Sequence, residues 1–187
     1  MKEKILVVIP YADEDEEEIK TLKKVYEKRA AIPCVVETIK DEERIGWVSM
    51  HNKRASREDY DYYVYSCADY YPGRGYLKRA YDTLKKHGVG MVGFNDGKWD
   101  GKNATVGLLK KDYLKSNYAT KTLFHAGYKK HGADPDLTEL SILKREYRYC
   151  PEAILMEIDP QKEINGLNNN PDDVKLFLQR RATGFPK

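Results

Sequence analysis

The chain has 187 residues, 41% hydrophobic and 34% charged, and its 33 basic residues against 30 acidic ones leave a net charge of +3. So even a balance argues against nucleic acid as a partner, and no apolar run approaches the ~20 residues of a membrane span. The N-terminus lacks a signal-peptide layout, because its short apolar run passes at once into acids.

These exclusions predict one domain with one core, in the cytoplasm. Three widely spaced cysteines, Cys34, Cys67 and Cys150, show neither metal-knuckle spacing nor a disulfide framework, which agrees. Tyrosine is unusually common, with 15 copies. Its apolar face and hydroxyl suit sugars and bases, and equally suit ordinary cores.

Lys4 to Pro10 is a β-branched run of the kind buried on both sheet faces. Asp13 to Glu18 then opens a helix to about Lys28, with Ile19, Leu22, Val25 and Tyr26 on one face and acids at its positive end. Ile32 to Ile39 is a second strand, so the pair implies a right-handed βαβ unit. Arg44 to Arg57 reads as a short helix under a loop.

Tyr62 to Tyr65 is a buried strand that ends in Ser66, Cys67, Ala68 and the acid Asp69. Pro72, Gly73 and Gly75 follow, then a helix from Tyr76 to His87 stopped by Gly88. In open α/β sheets ligands bind in the crevice outside the carboxyl ends of the strands, which makes Asp69 the centre of a candidate site.

Further on, Val89 to Phe94 is a strand, Asn95 to Asn103 a polar loop, Ala104 to Leu109 a strand and Lys111 to Asn117 a short helix. Tyr118 to Pro135 is loop-rich, Leu137 to Arg145 a helix and Ala153 to Ile158 the last strand. An Asn-rich turn (Asn168 to Asn170) with Pro171 precedes a helix from Asp172 to Arg181. The alternation predicts a three-layer α/β/α domain with a mostly parallel central sheet over residues 1–158, and a C-terminal turn and helix over 159–187.

In order, the segments VVIPYA, ETIKD, CADYYPGRGYL, TVGLLKKDYL and ADPDLTELSILKR resemble the GT-A fold of nucleotide-sugar glycosyltransferases, the family-2-like group in particular. The resemblance spans about Ile5 to Ile158. It implies a donor nucleotide-sugar, most simply a UDP-sugar, framed by Pro10, Tyr11, Asp41, Asn52, Arg54 and Ala68. It implies Mn2+ or Mg2+ on the diphosphate, held through Asp69 in a D-x-D-like motif whose first position here is Cys67. It implies an acceptor-side carboxylate among Asp134, Asp136 and Glu139.

Each role has a plainer counterpart. Asp69 before Pro72 also suits a turn, Asp136 followed by Glu139 suits a helix start, and Arg54 and Lys53 suit solvated surface as well as phosphates. His125 and His131 are further metal or phosphate candidates, and Asn95, Asp96 and Trp99 form a loop that would cover sugar or acceptor. Two other readings stay open. One is a non-catalytic binding or assembly subunit on the same scaffold; the other is a nucleotidyltransferase, against which stands the lack of a Gly-rich phosphate loop after the first strand.

Overall fold

A computed structural model of the chain describes residues 3–158 and 170–186. Seven strands form one sheet: β1 (Ile5–Tyr11), β2 (Val35–Lys40), β3 (Tyr62–Tyr65), β4 (Tyr70–Pro72), β5 (Met91–Asn95), β6 (Gly107–Lys110) and β7 (Tyr147–Glu157), in the order β2-β1-β3-β6-β5-β7-β4. The described helices are α1 (Glu16–Arg29), α2 (Trp47–Ala55), α3 (Tyr76–His87), α4 (Lys111–Ser116), α5 (Ala133–Leu143) and α6 (Pro171–Ala182).

β1 is buried on both faces, as its composition requires. Ile5, Val7 and Ile9 join Tyr26 of α1 and Leu77 and Leu84 of α3 on one side. Leu6 and Val8 join Val48 of α2 and Leu137 of α5 on the other. That is the three-layer arrangement.

The sheet is mostly parallel. β1 pairs parallel with β2 and β3, β5 pairs parallel with β7, and only β6 and β4 run against their neighbours. Both reversals follow from short polar connections in place of helical crossovers, which return the chain from the end of the sheet it has just reached. Where β6 passes β3 a glycine is needed: a Cβ on Gly107 would stand 2.7 Å from the Tyr65 ring.

Several elements differ from the sequence reading, β2 and β6 by starting later, at Val35 and Gly107. β4 was not foreseen. β7 begins at Tyr147 rather than Ala153, because a bulge opposite Phe94 and Asn95 absorbs Pro151, which has no N–H for the ladder. α5 begins at Ala133, with Pro135 inside the first turn, where the missing N–H has no helical partner to lose. Asn170 caps α6 by accepting from the amides of Asp172 and Asp173, while Asn168 and Asn169 of the expected turn lie outside the described residues.

Candidate active site

The turn after β3 is fixed from beneath. The Ser66 amide donates to the Val8 carbonyl of β1 at 3.1 Å, and the Ser66 carbonyl accepts from Trp47 Nε1 and His51 Nε2, each at 2.9 Å. Tyr26 Oη donates to the Tyr70 carbonyl at 3.0 Å and lies 2.9 Å from Ser66 Oγ. With its one proton thus engaged, Tyr26 accepts from Ser66. Three side chains, Trp47, His51 and Tyr26, therefore hold both ends of the segment that carries Cys67, Ala68 and Asp69, all half-buried.

His51 is buried and kept neutral: desolvation takes its pKa down to about 3. Since Nε2 must be protonated to donate to a carbonyl, Nδ1 accepts from Tyr63 Oη at 2.9 Å. On the turn itself, the Cys67 thiol donates to Asp69 Oδ1.

Two backbone hydrogen bonds tie the end of β7 to the Asp69 turn and to the loop after β5, and that loop in turn holds Asp134. The Asp69 carbonyl accepts from the Ile158 amide at 2.8 Å, and the adjacent Glu157 amide donates to the Asp96 carbonyl at 3.4 Å. Burial raises the Asp134 carboxyl to about 6; Asn103 works against this, while the Asp96 and Glu157 charges add to it. Asn103 Nδ2 donates to Asp134 Oδ2 at 2.9 Å. Thr138 Oγ1 donates to the Asp134 carbonyl at 2.7 Å and accepts from the Ala104 amide at 3.0 Å. The first turn of α5 is thereby tied to the loop after β5.

That loop is built on Asp96. Its Oδ1 accepts from the Lys98 and Trp99 amides at 2.9 and 3.1 Å, and its Oδ2 from Thr105 Oγ1 at 2.6 Å. The Trp99 ring is left exposed at the tip, and Lys98 pairs with Glu157 at 3.0 Å.

At the ends of β1 and β2, the Asp41 amide donates to the Tyr11 carbonyl at 2.8 Å. Asp41 accepts from the Ile45 and Gly46 amides at 2.9 and 2.8 Å, which sets the entry into α2. Pro10 is buried at the end of β1, and Tyr11 is half-exposed. A cleft of about 190 Å3 opens beside Asp41, lined also by Ile39, Ile45, Met50, Lys53 and Arg57.

Several predicted site residues have other uses. Arg54 is buried and donates to Glu37 (2.5 and 2.9 Å) and Asp59 (2.8 and 3.3 Å), so its fork is consumed inside the protein. Asn52 pairs with the Phe124 backbone, donating at 3.1 Å and accepting at 2.8 Å. Asp136, one of the candidates for the acceptor-side carboxylate, is fully buried and accepts from Tyr118 Oη, Tyr128 Oη and Arg180 Nε at 2.8, 2.9 and 2.6 Å. Glu139 pairs at the surface with Arg181 at 2.9 Å.

His125 lies between Tyr118 and Tyr128, its pKa lowered by burial and then by the Arg180 charge. His131 lends its amide to Asp173. Among the described residues no group of three or more His, Cys, Asp or Glu side chains is arranged to hold a metal. The turn offers Asp69 as one hard oxygen donor, beside a soft thiol. That matches the minimum for a magnesium-like ion, which takes one or two carboxylates and completes its shell with substrate phosphates and water. The residues that sequence reasoning missed, Asn103 and Thr138, carry no signal of their own; only the fold brings them to Asp134.

No family model and no curated protein matches the sequence. Solved structures do. A mannosyltransferase from Pyrobaculum calidifontis, in complex with GDP-Man and Mn2+, superposes with a TM-score of 0.62 at 16% identity over 98% of this chain and 70% of its own. Glucosyl-3-phosphoglycerate synthase from Mycobacterium tuberculosis, in complex with Mg2+ and UDP, gives 0.63 at 12% identity over 99% and 81%. TarS of S. aureus gives 0.64 at 14% over 95% of this chain and 43% of its own, so the chain spans less than half the length of that protein. No helix among the described residues is long and apolar enough to cross a membrane. The chain is built on the GT-A fold of nucleotide-sugar glycosyltransferases.

Proposed function

We propose that this protein transfers a sugar from a nucleotide-sugar, most simply a UDP-sugar, to an acceptor hydroxyl. The observation that carries the reading is the placement of Asp134 on this fold: it stands in the first turn of α5, its carboxylate accepts from Asn103 of the loop after β5, and burial raises its carboxyl to about 6. A base with a pKa near the working pH combines the ionised form with useful basicity. Asp134 would take the proton of the acceptor hydroxyl, with Asn103 fixing the carboxylate and Trp99 offering an aromatic face to the sugar or acceptor. Tyr11 and Asp41 would frame the nucleoside, with the diphosphate running toward Asp69.

Asp69 is the residue that would hold Mn2+ or Mg2+. A divalent cation bound there would offset charge on the departing diphosphate. A cytoplasmic setting goes with this reading, and three free cysteines fit it.

The test is titration with UDP and GDP in the presence and absence of Mn2+, followed by turnover with UDP- and GDP-sugars. Wild-type protein should bind a nucleotide, and Asp134→Asn should bind it equally while turning over ~100-fold or more slowly. Failure of every nucleotide to bind, or full turnover in Asp134→Asn, refutes the reading. Cys67 in the first position of the acidic motif favours one rival, a non-catalytic binding subunit. On that view Cys67→Asp gains metal affinity and gains no turnover.

A further inference from the structure

A second feature lies at the far end of α1. That helix starts just beyond β1, and its 14 residues carry it ~21 Å from there at ~1.5 Å per residue. Its last turn meets the start of α3, where the Gly75 and Lys78 amides donate to the Arg29 and Ala30 carbonyls at 2.7 and 3.1 Å. Between them is a cavity of about 410 Å3 lined by Val25, Lys28, Arg29, Ala31, Arg74 and Gly75.

Its polar lining is cationic. Arg29 is held in place, donating from Nη1 to the Pro72 carbonyl at 2.7 Å with its guanidinium 4.8 Å from the centre of the Tyr71 ring. Arg79 is not part of the lining but stands near Gly75: its Nε would lie 3.4 Å from a Cβ there. Gly75 has φ +72° and no side chain, so the floor of the cavity is open backbone.

Among the described residues, Lys28, Arg29, Arg74 and Arg79 have no carboxylate partner. Neighbouring Lys78 does, pairing with Asp82 at 2.6 Å. The adjacent acid, Glu27, is exposed and forms no ion pair with these cations among the described residues. Three unpaired cations lining one cavity, with Arg79 nearby, repel each other, a cost that an anion removes. A guanidinium already fixed by a carbonyl and a ring presents its remaining donors to tetrahedral oxygens with little entropy left to lose. Val25 and Ala31 provide an apolar wall for whatever carries the anion.

We propose that this cleft binds the phosphate group of a phosphorylated ligand, at a site separate from the strand ends. The proposal does not rest on the sugar-transfer reading. Calorimetric titration with inorganic pyrophosphate in EDTA tests for a soluble ligand. Co-sedimentation with phosphatidylglycerol vesicles, against phosphatidylcholine vesicles, tests for a lipid headgroup.

At least one probe should bind wild-type protein. Lys28→Glu/Arg74→Glu, both at exposed positions, should weaken that binding tenfold or more, whereas Lys86→Glu at the other end of α3 and Asp69→Asn should retain it. Whichever probe responds identifies the source of the phosphate. The proposal is overturned if neither probe binds, if Lys86→Glu weakens binding as much as the double variant, or if Asp69→Asn abolishes it.

Discussion

Trp47 and His51, one turn apart on α2, donate to the same carbonyl oxygen, that of Ser66, at 2.9 Å each. Both acceptor positions of that oxygen are thus filled, and the turn that presents Asp69 has one orientation. Replacing His51 with Phe should leave the Tyr63 hydroxyl without its main acceptor and lower stability by ~2–3 kcal/mol. Urea unfolding at pH 7 measures this.

The same histidine makes a pH prediction. Its folded pKa, about 3, is depressed below the ordinary value of 6.5. Its contribution is therefore fully present above pH 6.5 and is lost as pH falls toward 3, since the unfolded chain takes up the proton first. Stability of the wild type should fall through that window more steeply than that of His51→Asn. Parallel curves for the two proteins between pH 6.5 and 3 would show that the ring is not buried neutral.

Asn103→Ala removes the side-chain donor that the described residues give Asp134. The carboxyl already stands at about 6, and loss of a hydrogen bond to its ionised form should raise it further, by on the order of one unit. The carboxyl carbon shift of Asp134, followed by NMR across pH 4–8, reads this directly. If Asp134 is the base, the acid limb of the activity profile moves upward by the same amount.

Cys67→Asp places two carboxylates on the turn. Affinity for Mn2+, measured by electron paramagnetic resonance of the free ion, should rise at least ~10-fold, since the site then has two hard donors in place of one. Unchanged affinity would place the metal elsewhere.

Much of the fold was legible because its signals are local. The unbroken apolar run of β1, the acids opening α1 and the glycines at both ends of α3 each specify their element from within. Strand direction is not local, so β6 gave no hint of running antiparallel, and β4, at three residues, is too short for a period. For the candidate site, the sequence brings its residues only as far as a helical turn. Asp134 and Asp136 look alike as first-turn acids, yet two residues on a helix differ by ~200° in direction. One meets Asn103 beside the strand ends and the other is sealed against two tyrosines and Arg180. The partners of Arg54 were equally out of reach of the sequence, since Glu37 and Asp59 come to it only through β2 and the turn before β3.

Asp173 completes a pattern that begins with Arg180. Its carboxylate accepts from the amides of Lys129, Lys130 and His131 at 3.0, 2.8 and 2.9 Å, immediately ahead of α5. Together with Arg180 on Asp136, it bolts α6 to the segment that aims Asp134. On the sugar-transfer reading, an allele that removes α6 should thus lose turnover, though no residue of that helix was assigned to the site. In a mutational screen, the last turns of the chain would score like active-site positions.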